Sequence, residues 1–135
     1  MNRKIHALTA LLGLTLTLAA QALPASAPRT ISGKVTAAGG HSLKATVVIA
    51  CPQGDCDSDD VKGVLIGSEG TTATFSIAVA DVEYALYAVQ DNDGDEDVGA
   101  GDWVDRNLME EKAAALVRAG AADVRLELVE VRRAP

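Results

Sequence analysis

The sequence predicts an all-β fold, an antiparallel seven-stranded β-sandwich. Three observations carry that expectation. Short runs alternate apolar and polar side chains, the pattern of strands with one covered face. Glycine, serine, proline, asparagine and aspartate punctuate those runs at regular spacing, as turns between antiparallel strands do. A single stretch, 107–117, has helix-forming chemistry in Glu110, Glu111, Lys112 and Ala113 to Ala115, and there a short helix and a strand remain open alternatives.

The elements follow in order. Arg29 to Thr36 reads as a first strand and Ala37 to Ser42 as a turn, with Gly39 and Gly40 supplying special dihedrals. Leu43 to Cys51 is a second strand, and its continuous Val47, Val48 and Ile49 suggest cover on both faces. An acidic loop runs from Pro52 to Asp60. Val61 to Gly67 is a third strand, followed by a turn at Ser68 to Gly70. Thr71 to Val79 sets Phe75, Ile77 and Val79 on one side. After a corner at Ala80 to Val82, Glu83 to Gln90 sets Tyr84, Leu86 and Ala88 against Ala85, Tyr87 and Val89. At most one of the two tyrosines is then expected to be fully inside. Gly101 to Val104 begins another short strand, and Asp123 to Arg132 is the last, with Val124, Leu126 and Leu128 inward. The sequence carries no internal repeat and no low-complexity tract.

The first residues read as a targeting segment. Arg3 and Lys4 precede an apolar run from Ala7 to Ala20, and small-residue cleavage patterns follow at Ala20-Gln-Ala22 and Ala25-Ser-Ala27. This is the layout of a secretory signal peptide over 1–22, with cleavage after 27 as the alternative. Pro28 directly after Ala27 favours the earlier site. The run is short for a membrane-spanning helix, so no membrane insertion is expected after cleavage; an uncleaved N-terminal anchor is the competing reading. A single β domain is expected over 28–133, secreted or held in the periplasm or cell envelope.

Charge narrows the partners. The chain has 12 Lys+Arg against 19 Asp+Glu, and losing Arg3 and Lys4 leaves 10 against 19, a net charge of −9. Such a protein does not suit the phosphate backbone of nucleic acid, nor an anionic lipid surface; cations are its natural partners. The two cysteines, Cys51 and Cys56, bracket Pro-Gln-Gly-Asp. In an exported chain this spacing points to a short disulfide ring, worth roughly 2 kcal/mol by the chain-entropy argument. A pair of reduced thiols is the alternative.

The strongest chemical signal is Asp91-Asn-Asp-Gly-Asp-Glu-Asp-Val-Gly-Ala-Gly-Asp102. Asp91, Asp93, Asp95, Asp97 and Asp102 stand at positions 1, 3, 5, 7 and 12 of a twelve-residue window. That spacing is close to an EF-hand loop, where alternate residues converge on one calcium ion. Bare carboxylates roughly 6 Å apart repel by about 0.7 kcal/mol per pair in water. The loop either stays open and solvated or closes around a cation, and its wealth of oxygen ligands suits calcium better than magnesium or manganese. Glu96 occupies the position where EF-hands carry glycine, and Gly94 lies two residues earlier, so the sharp turn is displaced. No helices flank the loop.

Asp55, Asp57, Asp59 and Asp60 form a second acidic cluster with alternate spacing, but Ile66 stands where a closing ligand belongs. Strand alternation from Leu43 onward puts the two loops at opposite ends of the fold, so a shared ion is not expected. Enzyme signatures are thin. His41 and Ser42 lie side by side without a third group, and no nucleophile elbow, phosphate loop, dinucleotide fingerprint or zinc-protease helix is present. Of the few aromatic residues, Trp103 is the candidate for ligand contact, its other reading being a core plug beside the loop.

The order of Ile31-Ser-Gly-Lys-Val-Thr36, Ala45-Thr-Val-Val-Ile-Ala50, Tyr84-Ala-Leu-Tyr-Ala-Val-Gln-Asp-Asn-Asp-Gly-Asp95 and Gly101-Asp-Trp103 resembles the secreted bacterial prealbumin-like, or carboxypeptidase-regulatory-like, modules of transthyretin-like fold. The resemblance covers most of the chain after the signal segment. It implies metal-ligand positions at Asp91, Asp93, Asp95 and Asp102 and envelope or surface support roles. It does not imply hydroxyisourate hydrolysis, whose histidine and arginine motifs are absent from this sequence. The expected function is therefore an exported, non-enzymatic module stabilised by calcium and engaged with an envelope protein or a glycan. A carbohydrate-binding module using Trp103 and, further off, a small secreted hydrolase are the alternatives.

Overall fold

The computed structural model describes residues 28–132; the expected signal segment lies outside them. Among the described residues eight strands form: β1 (Arg29–Ala37), β2 (Thr46–Pro52), β3 (Lys62–Ile66), β4 (Thr72–Val79), β5 (Glu83–Gln90), β6 (Trp103–Asp105), β7 (Val117–Arg118) and β8 (Val124–Glu130), with one short helix, α1 (Arg106–Met109). All strands belong to one sheet in the order β3-β2-β5-β6-β8-β1-β4, with β7 beside β5. The sheet curls until it is nearly closed around its core.

The all-β expectation stands, but the clean antiparallel sandwich of seven strands does not. β1 and β8 run parallel, pairing Gly33 with Val124 and Ala37 with Leu128, so the sheet is mixed. β8 is fixed antiparallel to β6, and that direction makes it run with β1. Gly33 permits the approach: a Cβ there would lie 2.0 Å from the Val124 carbonyl oxygen.

The core follows the alternation. Ile31 and Val35, Val48 and Ala50, Phe75, Ile77 and Val79, Tyr84, Leu86 and Ala88, and Leu126 and Leu128 are all buried and pack together. The second strand is shorter than expected. Ala45 sits in the left-handed region at φ 69, its N–H reaching the Ile66 carbonyl while the Thr46 N–H turns back to Leu43. This bulge delays β2 to Thr46. Cover on both faces of β2 is also incomplete: Val48 is buried while Val47 is 36% exposed.

Both tyrosines of β5 are buried, contrary to the expectation of one. Tyr87 faces away from the main core, but a second small cluster forms there: Cys51, Ala85 and Tyr87 under Leu108 and Ala114. The Ala114 N–H donates to the Tyr87 hydroxyl (3.1 Å). The stretch 107–117 thus acts as a roof. α1 starts on an Asp105 cap, whose carboxylate accepts from the Asn107 and Leu108 N–H groups. It stops at once, with Glu111 at φ 55, and the chain re-enters the sheet as β7. Cys51 and Cys56 are disulfide-bonded, with Cα atoms 4.7 Å apart. Among the described residues no helix is long and apolar enough to cross a membrane.

Candidate metal centre

The 91–102 loop leaves β5 and returns as β6, and the ladder pairs Gln90 with Trp103. The two ends of the loop are therefore neighbours in the sheet, which brings Asp91 and Asp102 together. Asp91, Asp93, Asp95 and Asp102 each offer an oxygen, and these atoms all lie within 4.8 Å of one another. This group can hold a metal ion. Asp97, counted with them on spacing alone, contributes no carboxylate to it; its backbone N–H is bound to Asp95 Oδ1 (3.0 Å).

The carboxylates are held by the loop's own backbone. Asp91 accepts from the Gly94 N–H (2.9 Å) and the Glu96 N–H (2.9 Å). Asp93 accepts from the Asp95 N–H (3.2 Å). The Asp93 contact is a short aspartate turn, and the two Asp91 contacts wrap the following residues around its carboxylate. The bend needs left-handed backbone at two places, Gly94 at φ 75 and Glu96 at φ 65. The turn expected from the EF-hand spacing is thus present at Glu96 itself, in a residue that adopts that conformation with strain.

Asp102 is the anchor. It is 1% exposed and accepts from the Asn92 N–H through Oδ1 (2.8 Å) and the Gly99 N–H through Oδ2 (2.8 Å). Asn92 also donates its side-chain amide to the Gly101 carbonyl (3.0 Å). One residue thus ties the loop's first turn to its last.

The charges respond to the crowding. The Glu96 N–H holds the Asp91 carboxyl below its ordinary value, against some desolvation and with further help from Gly94 and Asp93. Asp93 moves the other way. Its Asp95 N–H pulls it down, but its contacts with the Asp95 and Asp91 side chains and the Asp102 charge outweigh that and raise it. Asp91 thus gives up its proton more readily than an ordinary carboxyl and Asp93 less readily, as neighbouring carboxylates that share hydrogen bonds do.

Beneath the loop, sequence reasoning missed Gln90 and the part that His41 plays, whereas Trp103 takes the core-plug place that was one of its two readings. Gln90 is 3% exposed, and its amide donates to the Ser42 carbonyl (2.9 Å) and the Lys44 carbonyl (2.8 Å). That fixes its oxygen toward His41, whose Nε2 donates to it (2.6 Å). The His41 ring stacks on Trp103 at 3.8 Å between centroids and 3° between planes. His41 is therefore a brace between the 38–46 turn and the base of the loop. Trp103 packs against the main core on its own strand and gives one ring face to His41. For Gln90 the only hint in the sequence was adjacency, since it precedes Asp91.

The second acidic cluster does not converge. Asp55, Asp57, Asp59 and Asp60 are exposed and are absent from the metal-competent grouping found among the described residues. Their loop lies at the far end, since β2 and β5 pair Pro52 with Tyr84 and Val47 with Val89. Comparison of the chain with protein-family models, with curated proteins and with solved structures yields no match.

Proposed function

We propose that this is an exported, non-enzymatic β module whose 91–102 loop binds calcium, and that the stabilised scaffold serves interactions at the cell envelope or outside the cell. The observation that carries the reading is the convergence of four carboxylates within 4.8 Å of one another. The number of carboxylates favours calcium, which takes about six to eight oxygen ligands in flexible geometry, whereas magnesium demands a stricter octahedron and keeps more of its own water. Kinship with the prealbumin-like modules belongs to the same proposal and rests on the residues that flank the loop, Tyr84 to Asp95 and Gly101 to Trp103.

The carbohydrate-binding alternative needs an open aromatic face on Trp103. One face already stacks on His41, so calcium without sugar is the better-supported reading. Calorimetry and thermal unfolding test it. Calcium at tenfold above its Kd should add about 1.4 kcal/mol of stability. A chelator should remove that gain, and Asp93→Asn should abolish it. No heat of binding at millimolar calcium, with a midpoint indifferent to chelator, overturns the proposal.

A further inference from the structure

The sheet is nearly closed but not sealed, and its two free edges, β3 and β4, differ in kind. No ladder joins them; β3 pairs only with β2 and β4 only with β1. A cavity of about 540 Å³ lies between them, lined in part by Ile66, Gly67, Thr72 and Thr74. Outward residues of β4 are Thr72, Thr74, Ser76 and Ala78, three of them polar. Outward on β3 are Gly63 and Leu65, and Leu65 is 65% exposed beside Val47 at 36%. Exposed edges are commonly guarded by charge, proline or a bulge. β3 has Lys62 at its first position and none of these further along.

The backbone phase of that edge is fixed. The Ile66 carbonyl accepts from the Ala45 N–H, so Ile66, and by alternation Val64 and Lys62, direct their polar groups to β2. Gly63 and Leu65 then direct theirs outward. They are also the two residues whose side-chain positions face the exposed side. At Gly63 the missing side chain leaves a notch: a Cβ there would meet Ile49 Cγ2 and Val47 Cγ1, both at 3.7 Å. A knob, Leu65, thus stands two residues from a hole floored by valine and isoleucine.

We propose that β3 pairs with β3 of a second copy of this chain, antiparallel about a two-fold axis at Val64. In that register Gly63 of each copy lies opposite Leu65 of the other. Both are the outward-bonding residues, so each such pair exchanges two N–H···O bonds. Each leucine fills the other copy's notch and covers Val47 and Ile49. Shifting the pairing by two residues in either direction sets leucine against leucine or glycine against glycine and leaves the notch open. The contact is self-complementary, as a two-fold interface must be. It is also small, and two acidic chains repel, so the dimer should be concentration-dependent and strengthened by salt.

Sedimentation velocity on protein purified from cells expressing the full chain, over a range of concentrations and at two salt levels, is the test. A monomer–dimer equilibrium that tightens with salt is expected. Leu65→Lys should weaken it by about tenfold or more. Gly63→Val fills the notch without touching the core and should do the same, while leaving thermal unfolding of the dilute protein unchanged or higher. Val64→Cys should form an intermolecular disulfide under air, since residues facing each other across a non-bonded antiparallel pair sit about 4.5 Å apart at Cα, and Leu65→Cys should cross-link far less. A protein monomeric at every concentration, a dimer indifferent to both Leu65→Lys and Gly63→Val, or equal cross-linking at 64 and 65 overturns the proposal.

Discussion

The loops 53–60 and 91–102 both place aspartates at alternate positions, yet among the described residues only the second gathers them at one centre. The first loop is tied at its base by the Cys51–Cys56 disulfide and makes local turns of its own, with the Asp57 N–H on Asp55 (3.0 Å) and the Asp60 N–H on the Ser58 hydroxyl (3.1 Å). Local turns alone leave its carboxylates pointing into water. The second loop has the same turns and one thing more: a buried carboxylate, Asp102, that returns on the strand paired with the one the loop left. Alternation concentrates charge. Convergence needs a ligand delivered by the sheet.

The largest expected effect tests that difference directly. Asp102→Ala leaves the Asn92 and Gly99 N–H groups without acceptors and should cost about 3 kcal/mol in urea denaturation. Asp57→Ala, which removes an equally suggestive aspartate from the other loop, should stay within about 0.5 kcal/mol. Equal small effects would mean that Asp102 is no anchor. The converse experiment comes next. Cys51→Ala with Cys56→Ala opens the ring in the first loop and should cost about 2 kcal/mol. It should leave calcium binding unchanged, because the two loops sit at opposite ends of the β2–β5 ladder. A loss of calcium affinity in that double variant would mean the ends are coupled.

These two regions also mark what was legible in the residues. The strands from Arg29 to Gln90 were readable because a covered strand face repeats every second residue, and Phe75, Ile77 and Val79 or Tyr84, Leu86 and Ala88 show that repeat unbroken. The disulfide and the metal-competent aspartates were readable because they are local in sequence. What was not readable depends on strands far apart in the chain. The parallel pairing of β1 with β8 has no local signature beyond Gly33. Burial of Tyr87 needed the 107–117 roof, whose sequence left helix and strand both open. Gln90 looked like the last residue of a strand, and only the returning turn at Ser42 and Lys44 gives its amide a task.

Asp105 extends the comparison to a second buried carboxylate on the same return strand. It is 1% exposed and accepts from the Ala88 N–H (2.7 Å) as well as from Asn107 and Leu108. Burial raises its carboxyl above the ordinary value, and the N–H donors offset this only in part. The folded state therefore holds this proton to higher pH than the unfolded chain does. From the ordinary carboxylate range up to the raised folded value, this group makes stability fall as pH rises. Asp105→Asn should flatten that segment of the pH–stability curve relative to the parent. It should also cost about 1 kcal/mol at neutral pH, because one amide cannot accept on both sides. A variant whose curve parallels the parent's through that range would show that Asp105 does not titrate differently on folding.

The smallest effect is the most specific to the loop. Glu96 holds a left-handed conformation at φ 65, and that conformation in a residue with a Cβ costs roughly 1 kcal/mol. Glycine adopts it freely but loses more entropy on folding, so Glu96→Gly should stabilise the chain by about 0.5 kcal/mol or less. The Glu96 N–H that donates to Asp91 (2.9 Å) survives the change, but glycine's wider backbone freedom loosens the turn that carries it. Gln53 in the first loop also has positive φ, at 52, and gives a matched control. Gln53→Gly should alter stability by a similar small amount and leave calcium affinity alone, whereas Glu96→Gly should change affinity as well, because it relaxes the turn that aims Asp91 and Asp93 at one point. Calorimetric titration of the two variants side by side separates a strained turn that serves a metal from one that merely closes a loop.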